Sequence, residues 1–75
     1  MRYFFDIRDD SYSADDDAGE YLPDIDAARR EAVRIATQIA GDIFLAKGSE
    51  VRVVVRGELK PLFEITVKLK TKDLP

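Results

Sequence analysis

At 75 residues the chain has room for one domain and one modest core, because a chain this short buries only about 60% of its unfolded surface. Hydrophobic residues make up 45% and charged residues 36%, a globular composition, and the absence of cysteine and histidine excludes disulfides, thiolate metal sites and thiol or imidazole chemistry. The net charge of -3 hides a division: Asp6, Asp9, Asp10, Asp15, Asp16, Asp17, Glu20, Asp24 and Asp26 crowd the first third, whereas Lys47, Arg52, Arg56, Lys60, Lys68, Lys70 and Lys72 dominate the end, an asymmetry that marks either partner surfaces or, as is expected here, two ends that neutralise each other on folding.

Arg2 to Arg8 alternates, with Tyr3, Phe5 and Ile7 on one side and Arg2, Phe4, Asp6 and Arg8 on the other, which predicts a first strand. Asp9 and Asp10 favour a turn, after which Tyr12 and Ala14 begin a short return strand that ends at the acids Asp15 to Asp17. Gly19 supplies a position tolerant of positive φ, and Pro23 precedes Asp24, whose carboxylate suits a helix N-cap. From there the period becomes helical: Ile25, Ala28, Ala32, Ile35, Ala36, Ile39 and Ile43 share a face, with Arg30, Arg34, Gln38 and Asp42 opposite. This pattern places Ile35 and Ile39 at the centre of the buried stripe and lets Asp26 pair with Arg30 at i,i+4. Lys47 and Gly48 form a stop signal.

Val51, Val53 and Val55 then alternate with Arg52, Val54 and Arg56, and Phe63, Ile65, Val67 and Leu69 with Glu64, Thr66, Lys68 and Lys70. Two half-buried strands follow, joined as a hairpin through Gly57 to Pro61, with Pro61 at the strand entrance and a frayed tail from Thr71 to Pro75. The expected fold is α+β in the order ββαββ, a single domain over residues 1–75 with one helix packed on one face of a small antiparallel sheet.

The RYFF start at Arg2 to Phe5, the D-x-x-G-x-E-x-x-D turn at Asp16, Gly19, Glu20 and Asp24, and the A-A-x-x-E-A helix beginning at Ala27 stand in fixed succession. That succession resembles a family of small bacterial proteins known only as a domain of unknown function, and the resemblance covers nearly the whole chain. A looser one, over the first half, is to antitoxins of the HicB type, which also join an aromatic strand, an acidic turn and a proline before an alanine-rich helix. L-P-D-I-D at Leu22 to Asp26 carries that second likeness, but the glycines usual before the helix are missing and no DNA-binding domain is appended. Neither resemblance implies a catalytic residue or a cofactor.

The acidic turn invites a metal reading, since clustered carboxylates suit calcium and magnesium. Its spacing opposes one: counting back from Gly19 puts Ala14 in the first position of an EF-hand loop, and no Glu stands at the twelfth. Asp15 to Asp17 are expected instead to be solvated turn formers, with Glu20 and Asp24 serving the free amides and dipole at the helix start. Ser11, Ser13, Ser49 and the threonines have no histidine to activate them, and Gly19, Gly41, Gly48 and Gly57 stand alone rather than in a phosphate loop. The chain therefore reads as no enzyme, with no cofactor and no metal.

The outer face of the sheet is the candidate for function. It brings Phe4 and Val54 together with Arg52, Arg56, Lys68 and Lys70, an apolar centre in a cationic fringe, with Asp6 and Glu64 as its acids. The expected role is a non-enzymatic interaction or regulatory module that self-associates through its sheet, by face or by edge, as a homodimer covering Phe4 and Val54, with a protein partner as a further possibility. The alternative is a nucleic-acid-binding or antitoxin-like regulator that uses the basic face for phosphate contacts. No basic leader precedes an apolar one, and no apolar run approaches the roughly 20 residues that span a bilayer, so a cytoplasmic setting away from membranes is expected.

Overall fold

The computed structural model describes residues 1–9, 13–43 and 50–75. Within them lie strand β1 at Arg2–Asp9, the two-residue strands β2 at Ser13–Ala14 and β3 at Glu20–Tyr21, helix α1 at Ile25–Ile43, and strands β4 at Glu50–Arg56 and β5 at Pro61–Lys68. The fold is the expected α+β arrangement, one helix on an antiparallel sheet. Its strand order is β2-β1-β4-β5, with β3 pairing β1 further along the same edge as β2. Strand β3 is an addition to the expected ββαββ. Asp10 of the predicted turn, Tyr12 of the return strand and the Lys47–Gly48 stop signal lie outside the described residues, as does the side chain of Ile43.

Alternation builds the sheet as predicted. Phe5 opposes Val55 and Ile7 opposes Val53 on the helix side, and Val53 opposes Ile65 in the next pair of strands. Val51, Val53 and Val55 are fully buried, each contributing about 1.5 to 3 kcal/mol by its removal from water. Tyr3 and Phe5 complete the sheet's part of the core, with Ile7, Leu62, Phe63, Ile65 and Val67 packed around it. Leu62 joins Phe63 there because the register slips between Val55 and Arg56, so that Arg56 faces Pro61 and Leu62 is the extra residue of a bulge. A Gly57 N–H to Lys60 carbonyl bond of 2.9 Å closes the hairpin.

The helix buries a narrower stripe than its hydrophobic period suggests. Ala28, Ala32, Ala36 and Ala40 form the buried line, spaced at one residue in four. Ile35 packs beside it, Ile39 is half-buried, and Ile25 is 42% exposed. The expectation that Ile35 and Ile39 occupy the centre and that Ile25 is covered is thus corrected: alanines let the helix axis approach the valines closely, and the isoleucines become flanks. Asp24 caps the helix as predicted, its Oδ1 accepting the Ala27 N–H at 2.8 Å. No Asp26–Arg30 ion pair forms among the described residues. The pair on that exposed side is Arg34 with Glu31, bidentate at 2.6 and 3.0 Å.

Candidate functional site

The strand registers bring most of the predicted residues to the outer face. Phe4 opposes Arg56, Asp6 opposes Val54, Arg8 opposes Arg52, and Arg52 opposes Thr66. Lys68 ends β5 on the same face, opposite Glu50, whereas Lys70 lies past the strand in the exposed tail. Phe4, Val54, Arg52, Arg56 and Lys68 therefore share a surface. Lys70 is not part of the paired sheet.

That surface is not the wet apolar centre its sequence suggests. Phe4 is only 9% exposed within a single chain, which removes the premise that a partner is needed to cover it. The guanidinium groups of Arg2 and Arg56 lie over its ring, at 5.1 and 4.8 Å from the centroid, contacts of the cation–π kind. The third cover is the acidic turn. Gly19 sits against Phe4 and Arg2 so tightly that a Cβ there would stand 3.0 Å from Phe4 Cε1 and 2.8 Å from Arg2 Cγ. Its φ of 74° is the only positive value among the described residues, so this position requires glycine on both counts.

Asp16 shows why the turn lies there. Its Oδ2 accepts the Phe5 N–H of β1 at 3.1 Å, and its Oδ1 accepts the N–H groups of Ala18 and Gly19 at 3.1 and 3.0 Å. A side chain thus takes the place of a strand partner for β1 between β2 and β3. Beside it Asp6, 3% exposed, accepts the Asp16 N–H at 2.9 Å and receives Arg56 through Nε at 2.5 Å and Nη2 at 3.1 Å. The same Nη2 reaches the Asp16 carbonyl at 2.8 Å. Arg56, predicted to be available to a partner, is therefore committed to the fold. The expectation that Asp15 to Asp17 are all solvated is corrected for Asp16, which is part-buried and fully engaged.

The charges of these groups follow their contacts. Hydrogen bonding from Arg56 outweighs burial and, with the Asp16 amide, holds the Asp6 carboxyl below the usual carboxylate value, while Asp6 in turn raises the Arg56 guanidinium. Burial pushes Asp16 up, but the amides of Gly19, Phe5 and Ala18 overcome it and leave that carboxyl low as well. Glu20 behaves oppositely. It faces Glu31, whose carboxylate is held low by Arg34, and this neighbour raises Glu20. Glu20 thus opposes another acid rather than serving the helix amides.

The cationic fringe is largely neutralised from within. Arg2 pairs with Glu58 at 3.3 Å, Arg8 with Asp15 at 2.6 Å, Arg52 with Glu50 and Glu64 at 3.6 and 3.7 Å, and Lys68 with Glu50 at 3.5 Å. Glu50, one residue ahead of the strand predicted from Val51, is the acid that sequence reasoning left off this face; its even spacing from Arg52 and Val54 is the signal that could have placed it. Among the described residues no three acidic side chains converge in a way that could hold a metal ion. A shallow hollow of about 200 Å³ opens at the β4–β5 turn, lined by Met1, Gly57, Leu59 and Leu62 with Glu58 and Lys60 at its margin. No described helix is long and apolar enough to cross a membrane.

The two margins of the sheet differ. Strands β2 and β3 and the Asp16 carboxylate close the β1 margin, whereas β5 pairs only with β4 among the described residues. An eight-residue strand thus presents one side of its backbone outward, and sequence reasoning, which allowed association by face or by edge, did not single this edge out from the other.

No curated protein and no solved structure matches the chain. Residues 2–68 do match a family, the one described as Domain of unknown function (DUF6894). That span holds the whole of the sheet, the helix and the Asp16–Gly19 turn that binds β1, and the chain belongs to this family.

Proposed function

We propose that the protein is a non-enzymatic interaction module that self-associates through its sheet, and that the contact is the β5 edge rather than the outer face. The observation that carries this reading is the asymmetry of the margins: among the described residues, the eight-residue β5 leaves the N–H and C=O groups of one side without a strand partner, and unpaired strand edges recruit further strands. Phe4 no longer supports face-to-face pairing, being covered by Arg2, Arg56 and Gly19. A cytoplasmic setting belongs to the same reading and is supported by the cysteine-free sequence.

Nucleic-acid binding through Arg52, Arg56, Lys68 and Lys70 is the competing reading. Weighing against it, three of those four cations already hold carboxylates of their own chain, and contacts of that kind must be exchanged before a phosphate is bound. Light scattering on a sizing column at tens of micromolar protein, in low and high salt, tests the proposal. A dimer in both buffers is expected, because backbone pairing and apolar contact are weakly screened. A monomer in both overturns self-association, and nucleic acid that co-purifies and is shed steeply with salt favours the competitor.

A further inference from the structure

We infer that the occupant of the β5 edge is a second copy of the same strand, paired antiparallel about a two-fold axis at Thr66. This rests on the self-association reading above and adds the register. On the outer face β5 carries Glu64, Thr66 and Lys68 in succession, and on the helix face Phe63, Ile65 and Val67, with Leu69 just beyond. Two copies of a strand keep their faces matched only when the axis falls on a residue, since a shift of one position would turn every side chain over. The possible centres are therefore few, and charge separates them.

With the axis at Thr66, Glu64 of each copy stands opposite Lys68 of the other, and the threonines face each other. Both kinds of cross-strand pair are favourable. The Glu50–Lys68 contact that already crosses from β4 to β5 then continues into the second copy's Glu64, extending one row of alternating charge across the junction. On the helix face Ile65 meets Val67 and Phe63 meets Leu69. Leu69 is 43% exposed and Phe63 only half-buried in the single chain, so this pairing covers apolar surface that β4 and the helix leave wet. An axis at Glu64 places that carboxylate against its own copy. An axis at Ile65 puts Lys68 beside Leu62 and leaves Glu64 facing Thr66, with neither charge answered.

The same two charges explain why an open edge need not aggregate. Edge strands are commonly guarded by charged side chains and proline, and here Pro61 blunts the entrance while Glu64 and Lys68 penalise the registers that would set either against its own copy. Being of opposite sign and symmetric about Thr66, they favour one.

Charge reversal tests the register on the full chain. Glu64→Lys and Lys68→Glu each turn two attractive contacts of the dimer into repulsive ones, so the dissociation constant of either variant alone should rise about tenfold. Mixing the two should restore association to near the wild-type level as a heterodimer, since every opposed pair is then again of unlike sign. Recovery on mixing also shows that both variants are folded. The chain has no cysteine of its own, so Thr66→Cys supplies a second measurement: oxidative crosslinking at that position should far outpace crosslinking at Leu59→Cys, on the 98% exposed turn at the other end of β5. Dimers that ignore both charge reversals, or that crosslink equally at the two sites, overturn the register while self-association stands. A wild-type chain that is monomeric overturns both.

Discussion

The two margins of this sheet solve the same physical problem in opposite ways. Along β1, backbone groups that would face water are taken by β2, by β3 and, between them, by the Asp16 carboxylate, which accepts the Phe5 N–H. Along β5 nothing described takes them. The closed margin is also where the described residues concentrate their buried polar contacts, since Asp6, Arg56 and the Asp16 backbone lock one another there, whereas the ion pairs described toward the open margin, such as Arg52–Glu64 and Lys68–Glu50, are largely solvent-exposed. A small domain with little core thus invests its ordered polar groups in closing one edge. On the proposed reading, interaction falls at the other.

The comparison breaks most sharply if the closed margin is opened. Asp6→Ala strands the Arg56 guanidinium and the Asp16 N–H against the sheet and should cost about 3 kcal/mol, near the lower limit for breaking a buried pair because Arg56 is partly exposed. Asp16→Ala leaves three amides without their acceptor and should cost about 2 to 3 kcal/mol. Denaturant melts at neutral pH measure both. The pH dependence has a definite sign. Both carboxyls lie lower in the folded chain than their ordinary value, so their contribution is complete above the unfolded carboxylate pKa of about 3.9 and is lost as pH falls from there through the folded values. The gap between wild type and either variant should therefore shrink at about pH 3. An equal gap at both pH values would show that the charges are not what holds the turn.

How much of this was legible in the sequence depends on the range of the contacts involved. β1, β4 and β5 announce themselves because alternation is local, and Asp24 does so because a cap bonds an amide three residues on. The two residues of β3 have no period to display. Phe4 was assigned to the correct face, yet its cover comes from Gly19, fifteen positions away, and from Arg56 across the sheet; nothing local states either contact. Asp16 lies between. Its spacing to Gly19 signals an aspartate-stabilised turn with a left-handed glycine, but that its second oxygen serves β1 is a tertiary fact. In the helix, the period showed an apolar face without saying that alanines would take its centre, because that choice is made by how closely the axis approaches the valines.

A smaller perturbation of the same margin is Gly19→Ala. The left-handed conformation alone penalises any side chain by roughly 1 to 2 kcal/mol, and the added methyl meets Arg2 Cγ and Phe4 Cε1 at 2.8 and 3.0 Å. Arg2 can swing aside. Phe4 is held, so a total loss of about 2 kcal/mol is expected, together with greater proteolytic access to the 15–20 turn. A variant as stable as wild type would mean that the turn does not press on β1 and that the margin is closed by β2 and β3 alone.

The finest test concerns Glu20 in β3, whose carboxyl is raised because Glu31 faces it across to the helix. An acid with a raised folded value binds its proton more tightly folded than unfolded, so its ionised form costs stability above the folded pKa and nothing below the unfolded one. Glu20→Gln removes that cost while keeping the side chain's length and leaving the Glu31–Arg34 pair in place. Because Glu20 is exposed, solvent screens the repulsion, and the gain at neutral pH should be only about 0.3 kcal/mol, vanishing as pH falls below the unfolded glutamate value of about 4.3. A loss of stability would mean instead that the Glu20 carboxylate has a favourable partner in Arg34, which also lies close enough to act on it. The three residues would then form one ion network joining the closed margin to the helix, and Arg34→Gln would cost more in the wild-type background than in Glu20→Gln.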